Sequence, residues 1–188
     1  MKKGNIYKLK WTRLQIEMFR FLCIRAGQTV NSREIAGALK ASPTTVSNAL
    51  KILKNDNLIK VTKSESMNLL SVEFNRDNHK ALELKRIENL RLVYESGLSD
   101  FLFNEFPGCT ILLFGSFSKE EDNWSREKDE CSSDVDIAII GAQKRNLDLK
   151  SFEKVFKRII NINFYNAFID INQHLKNNLL SGILLQGS

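Results

Sequence analysis

Two aspartates and a Gly-Ser pair are the residues of this 188-residue chain whose types and spacing suit chemistry. Asp134 and Asp136 lead the apolar run "VDIAII", and Gly115-Ser116 follows the run "TILLF". Residues two apart on a strand share a face, about 6–7 Å apart. The two carboxylates therefore aim together, and they repel unless a cation lies between them. Mg²⁺, or Mn²⁺ in its place, is the natural guest, because it prefers carboxylate oxygens and brings nucleotide phosphates with it. Glycine has no Cβ, so a phosphate can approach its backbone. Backbone N–H groups at such a turn bind phosphate oxygens, and Ser116 adds a hydroxyl donor. Each feature alone has a plainer reading: Gly-Ser is common in turns, and D-x-D is common at solvated strand ends.

The order of the elements narrows this. Phe114-Gly115-Ser116 ends one apolar run, and Ser133-Asp134-Val135-Asp136 begins the next. This order resembles the nucleotidyltransferase superfamily related to DNA polymerase beta, in particular its minimal members. The likeness covers about residues 110–187, and "NNLLSGILLQG" looks like the family's C-terminal helix and last strand. The resemblance implies Mg²⁺-dependent transfer of a nucleotidyl group from a nucleoside triphosphate, ATP first, to an acceptor it does not name. Gly115 and Ser116 would hold the β- and γ-phosphates. Asp134 and Asp136 would hold one or two metal ions that lower the pKa of an attacking hydroxyl, and pyrophosphate would leave. Lys119 is near enough in sequence to contact the triphosphate, and reads equally well as a surface lysine. The resemblance also implies a further reading, an antitoxin-type partner of a helical HEPN protein.

The chain departs from that pattern in three places. Glu120 stands where the family often has glycine. Seventeen residues separate Ser116 from Asp134, and this charged stretch reads as an insertion, either a lid or a surface loop. Active members also carry another carboxylate on a later strand, as metal ligand or base. In "INFYNAFIDI" the only acid is Asp170. A strand over 168–171 lets Asp170 meet the pair. A strand over 161–166 puts Asn161 and Asn163 at the facing positions and leaves Asp170 to cap the next helix.

The elements before residue 110 are legible from their caps. Thr12 and Gln15 form a capping box ahead of Leu14, Ile16, Met18, Phe19, Leu22 and Cys23. Asn31 and Glu34 form a second box, and Ser42-Pro43 starts a third helix with Val46, Leu50 and Leu53 as its inner stripe. "NDNLIKVTK" and "LLSVEF" then read as two strands around the tip "SESMN". Three helices and a hairpin make a winged helix-turn-helix, and residues 12–75 resemble archaeal and bacterial regulators of that family. The resemblance implies that the third helix enters the major groove of double-stranded DNA. Thr44, Ser47, Asn48 and Lys51 would face the groove, with Lys60 and Lys63 reaching the backbone from the wing. Residues 78–96 follow with helical period, Leu82, Ile87, Leu90 and Val93 forming a stripe that bridges domains or supports a homodimer.

Charge divides the chain in the same way. Residues 1–80 carry 15 Lys and Arg against 6 Asp and Glu, a net +9. Residues 81–188 carry 13 against 16, a net −3. The basic part suits a polyanion. The N-terminus lacks the apolar stretch of a secretory signal. No apolar run approaches the roughly 18 residues of a membrane span, so the expected location is cytoplasmic, with no membrane partner. Cys23, Cys109 and Cys131 have no metal-knuckle spacing, and two histidines, His79 and His174, are too few for zinc.

The expected fold is thus α+β with two domains: a winged helix-turn-helix over 1–76, linker helices over 77–107, and a small mixed-sheet α/β nucleotidyltransferase fold over 108–188. The alternative function is a DNA-binding regulator whose second domain senses nucleotide or is inactive.

Overall fold

The protein is described from a computed structural model. Residues 10–63, 70–119, 121–125, 130–131 and 133–187 are described. The chain forms two compact units, Met1–Ala81 and Leu82–Ser188.

In the first unit the caps act as the sequence predicts. Helix α1 spans Arg13–Ile24 and is closed by the reciprocal Thr12–Gln15 box. Strand β1, Thr29–Asn31, leads into α2, Ser32–Ala38, where Asn31 and Glu34 form the second box. Helix α3, Pro43–Asn55, has Ser42 as cap and Pro43 in its first turn. Strands β2, Ile59–Lys63, and β3, Leu70–Phe74, pair antiparallel, and β1 adds to the far side of β3. The order helix, strand, helix, helix, hairpin is the winged-helix arrangement. The expected wing tip, 64–68, lies outside the described residues. Met18, Phe19, Leu22, Ile35, Val46, Leu50, Leu53, Leu58 and Val72 are buried in the unit's core.

The second unit begins within helix α4, His79–Glu95. After α5, Leu98–Glu105, comes strand β4, Thr110–Phe114, and the short helix α6, Gly115–Ser118. A two-residue ladder joins β5, Trp124–Ser125, to β6, Glu130–Cys131. Strand β7, Val135–Ile140, α7, Lys150–Phe156, and β8, Ile160–Tyr165, form a parallel crossover. A 3₁₀ turn at Phe168–Asp170, helix α8, Gln173–Leu180, and β9, Ile183–Gln186, complete it. The sheet order is β8-β7-β4-β9, parallel between β7 and β8 and antiparallel elsewhere. It is therefore a mixed sheet.

Alternation along the strands gives the sheet two apolar faces. Ile111, Leu113, Val135, Ile137 and Ile139 pack with Val93, Leu98, Leu102, Phe106 and Phe156. Phe114, Ala138 and Ile140 pack with Ile171 and Leu179 on the other face. Much of the segment expected as a linker thus contributes to the second core. Its stripe also differs from the expected one. Helix α4 buries Ala81, Lys85, Asn89 and Val93, whereas Ile87 is 58% exposed. Two polar side chains sit on the inner face because polar partners await them there, as described below.

Candidate functional site

Strand register brings the polar residues together at one end of the second sheet. Phe114 lies opposite Asp136 across β4 and β7, and Asp136 lies beside Asn161 across β7 and β8. Asp136 shares its sheet face with Ala138 and Ile140, the face that α8 covers. Asp134 precedes the strand by one residue. The Asn161 amide Nδ2 donates to Asp134 Oδ2 at 2.9 Å and to Asp136 Oδ1 at the long limit of 3.5 Å. Burial pushes the Asp136 carboxyl above the ordinary aspartate range; the Asn161 hydrogen bond opposes this, and the Asp134 charge adds to it.

Gly115 turns the chain beside these groups with φ +74°, a conformation that costs other residues. A Cβ there would collide with Asp136 Oδ2 and lie 3.2 Å from its Cγ. The turn and the carboxylate therefore approach closely only because residue 115 is glycine. Ser116 follows in α6, where its carbonyl accepts from the N–H groups of Lys119 and Glu121. Lys119 does not turn toward the carboxylates: its Nζ donates to Asn178 Oδ1 on α8, at 3.3 Å. Glu120 lies outside the described residues.

The strand over 160–165 decides between the two placements of the third polar group. Asn161 joins the aspartates, and Asp170 does not. Asp170 lies past the end of β8, in the 3₁₀ turn, where its carboxylate accepts from the Ala167 N–H at 3.0 Å. Helix α8 is capped by Asn172 instead. Among the described residues, no group of three or more His, Cys, Asp or Glu is placed to hold a metal ion. Two carboxylates and an amide remain. They fit a hard divalent cation that keeps several waters, since Mg²⁺ is commonly bound through one or two carboxylates. A half-turn of the Asn161 amide would present its oxygen to such an ion.

The sequence reading missed a buried polar cluster. Asp122 is 1% exposed, and its Oδ1 accepts from Lys85 Nζ and from Asn89 Nδ2, the latter at 2.9 Å. Its Oδ2 accepts from Arg158 Nη2. Lys85, Asn89 and Arg158 are buried as well. The long charged stretch is therefore anchored at its root. Trp124 is buried there too, and the Asn123 N–H donates to Ser133 Oγ at 3.1 Å. The period of four between Lys85 and Asn89 was the available signal, but polar side chains at those positions read as solvent-facing.

In the first unit, α3 buries Val46, Ala49, Leu50 and Leu53. Thr44, Asn48 and Lys51 are exposed and Ser47 is half-buried. Lys51 Nζ contacts Asn48 Oδ1 at 3.4 Å, so the two form one polar surface. Lys63, on β2, is exposed. Lys60 differs from the expectation: its ammonium is 2.7 Å from Asp77 and 3.8 Å from Glu73. The Asp77 hydrogen bond raises the Lys60 pKa, so this cation already has a carboxylate partner.

Comparisons with known proteins give little beyond this geometry. No protein-family model matches the chain, and no curated protein matches it significantly. Among solved structures, the adhesin competence repressor AdcR of Streptococcus pyogenes is 19% identical, with 52% of this chain and 69% of that one covered at a TM-score of 0.40. Lactococcus lactis ZitR, a zinc-responsive MarR family member, is 23% identical over 55% of this chain and 72% of its own, at 0.37. A cysteine-to-serine mutant of ZitR in complex with DNA is 25% identical over 57% and 70%, at 0.38. Scores this low assign no family to the chain. No helix among the described residues is long and apolar enough to cross a membrane.

Proposed function

We propose that the protein is a DNA-binding regulator whose second unit binds a nucleoside triphosphate through a divalent cation without transferring its nucleotidyl group. The DNA-binding part of this reading is supported by α3, which presents Thr44, Ser47, Asn48 and Lys51 on the outer side of a strongly basic segment. Short polar side chains of this kind touch base edges or phosphates, and lysine contacts phosphate. Lys63 adds a second phosphate contact.

One observation carries the choice of binding over transfer: Asn161 occupies the position beside Asp134 and Asp136. Asp134 and Asp136 hold Mg²⁺ or Mn²⁺, with the phosphates of the nucleotide, ATP first, against Gly115 and Ser116. The cation would supply charge neutralisation at the phosphates. An amide has no basic lone pair with which to take a proton from an acceptor hydroxyl. Nucleotide bound there acts as a signal rather than as a substrate.

Two measurements test this. Mobility shifts over a salt series should show DNA affinity falling with salt concentration. Salt-independent binding, or none, overturns the DNA reading. Labelled nucleotide from an NTP panel should be retained with Mg²⁺, lost in Asp134→Ala/Asp136→Ala, and never appear covalently on protein, RNA or small acceptors. Turnover with pyrophosphate release would establish transfer in place of sensing.

A further inference from the structure

The buried carboxylate of Asp122 touches, directly or through one neighbour, each of the three segments that form the cation site. Asn89 donates to Asp122 and, at 2.9 Å, to the carbonyl of Phe117, two residues after Gly115. The Arg158 guanidinium binds Asp122, lies 5.3 Å from the Phe117 ring centre, and precedes Asn161 by three residues. Asn123, next to Asp122, donates its N–H to Ser133, the residue before Asp134. We propose that Asp122 is the positioning residue of this site: it fixes the Gly115 turn, the Asp134 approach and the start of β8 relative to one another.

This inference rests on reading Asp134 and Asp136 as a cation site. A divalent ion needs its ligands held to within about 0.5 Å, and the groups behind the ligands supply that restraint. Here the ligands stand at or just beyond the ends of the paired strands. Phe114 and Asp136 are the last partners of β4 and β7, and Asp134 lies beyond the ladder. Strand pairing alone does not hold Asp134 or the Gly115 turn, which lie beyond the paired residues. Asp122 reaches both, through the adjacent Asn123 and through Asn89. A buried carboxylate also needs its lone pairs occupied, and Lys85, Asn89 and Arg158 occupy them from α4 and the approach to β8. An ordinary core ion pair would contribute to stability alone. A positioning residue changes the site out of proportion to stability.

The test uses the full chain, Mn²⁺ alone as probe, and two readouts: Mn²⁺ affinity by calorimetry and hydrogen exchange of the ligand-free protein. Asp122→Asn keeps the shape and removes the charge. Val93→Ala, a cavity in the same unit's core, is the destabilised control. The expected result for Asp122→Asn is an Mn²⁺ affinity lowered about 10-fold or more. Exchange should quicken at 115–118 and 133–136, and Val93→Ala should keep wild-type affinity. Affinity and exchange at those segments that match the Val93→Ala control overturn the proposal. If the wild-type chain binds no Mn²⁺ yet exchange quickens as described, the cation reading falls and the positioning by Asp122 stands. Should Asp122→Asn fail to fold, Asn89→Ala decides. It removes the hydrogen bonds to Phe117 and Asp122, leaves every charge in place, and should lower affinity about threefold with the same exchange pattern.

Discussion

The side-chain amide of Asn161 donates to Asp134 across 2.9 Å, from the strand that runs parallel to the one Asp134 precedes. An N–H group thus sits between two carboxylates and partly offsets their repulsion. In the proposed cation site, that N–H is a weak stand-in for a cation.

Asn161→Asp should therefore act in opposite directions with and without metal. Without divalent ions it adds a third carboxylate and removes a donor, and should destabilise the fold by about 1 kcal/mol. With Mn²⁺ present, the added ligand should raise affinity about tenfold. Calorimetric titration and denaturation in a chelator check the two halves. A variant with unchanged Mn²⁺ affinity would show that the cation does not lie among these three residues.

Asp136 gives the protein a pH dependence of defined sign. Its carboxyl titrates above the ordinary aspartate range in the folded chain, mainly through burial. Between the unfolded value and the folded one, the folded state holds a proton that the unfolded state has lost. Stability therefore falls as pH rises through that interval and is constant above it. In a chelator, the denaturation midpoint should decline over this interval in the wild type and stay flatter in Asp136→Asn. Parallel curves for the two proteins would refute the assignment.

Gly115→Ala combines two penalties. The backbone at φ +74° disfavours an L side chain by about 1–2 kcal/mol. The new methyl also collides with Asp136 Oδ2, which must move. Loss of roughly 2–3 kcal/mol in urea denaturation is expected, together with weakened Mn²⁺ binding. A variant as stable as the wild type would mean that the turn is free to relax.

Lys85→Met replaces a buried cation with an apolar chain of similar length. Asp122 keeps Arg158 and Asn89 but loses one charge partner. Removing one member of a buried pair costs about 3–5 kcal/mol when the remaining charge is uncompensated. The second cation should hold the loss near the lower end of that range, as read by urea denaturation.

Lys51 and Lys60 should separate on DNA. Lys51→Ala is expected to weaken binding on every sequence and lower the salt slope by about 1. Lys60→Ala should leave the slope unchanged, because Lys60 is already paired with Asp77 and Glu73. Equal effects from the two substitutions would place both on the phosphate backbone.

What the sequence discloses here follows from how local each feature is. The boxes at Thr12 and Asn31 and the Ser42-Pro43 start are written within four residues, and all three cap the expected helices. The Asp134–Asp136 spacing and the Gly115 turn are equally local. Strand β1 is only three residues long and exists because β3 offers it an edge. The choice between Asn161 and Asp170 depended on strand limits that the apolar pattern of "INFYNAFIDI" leaves open. The Asp122 cluster was beyond reach for another reason. Its ion pairs join residues 36 and 37 apart, and the four-residue spacing of Lys85 and Asn89 does not say which distant carboxylate they meet.

The parallel pairing of β7 with β8 has a consequence for the order in which the molecule is made. A parallel neighbour cannot be reached by a tight turn, so Asn161 meets Asp134 only after the whole α7 crossover has been synthesised and folded back. The first unit, by contrast, is complete by Ala81. On the ribosome, the first unit can fold while the proposed cation site still lacks its third residue, and β9, made after β8, adds the edge of the sheet beside β4.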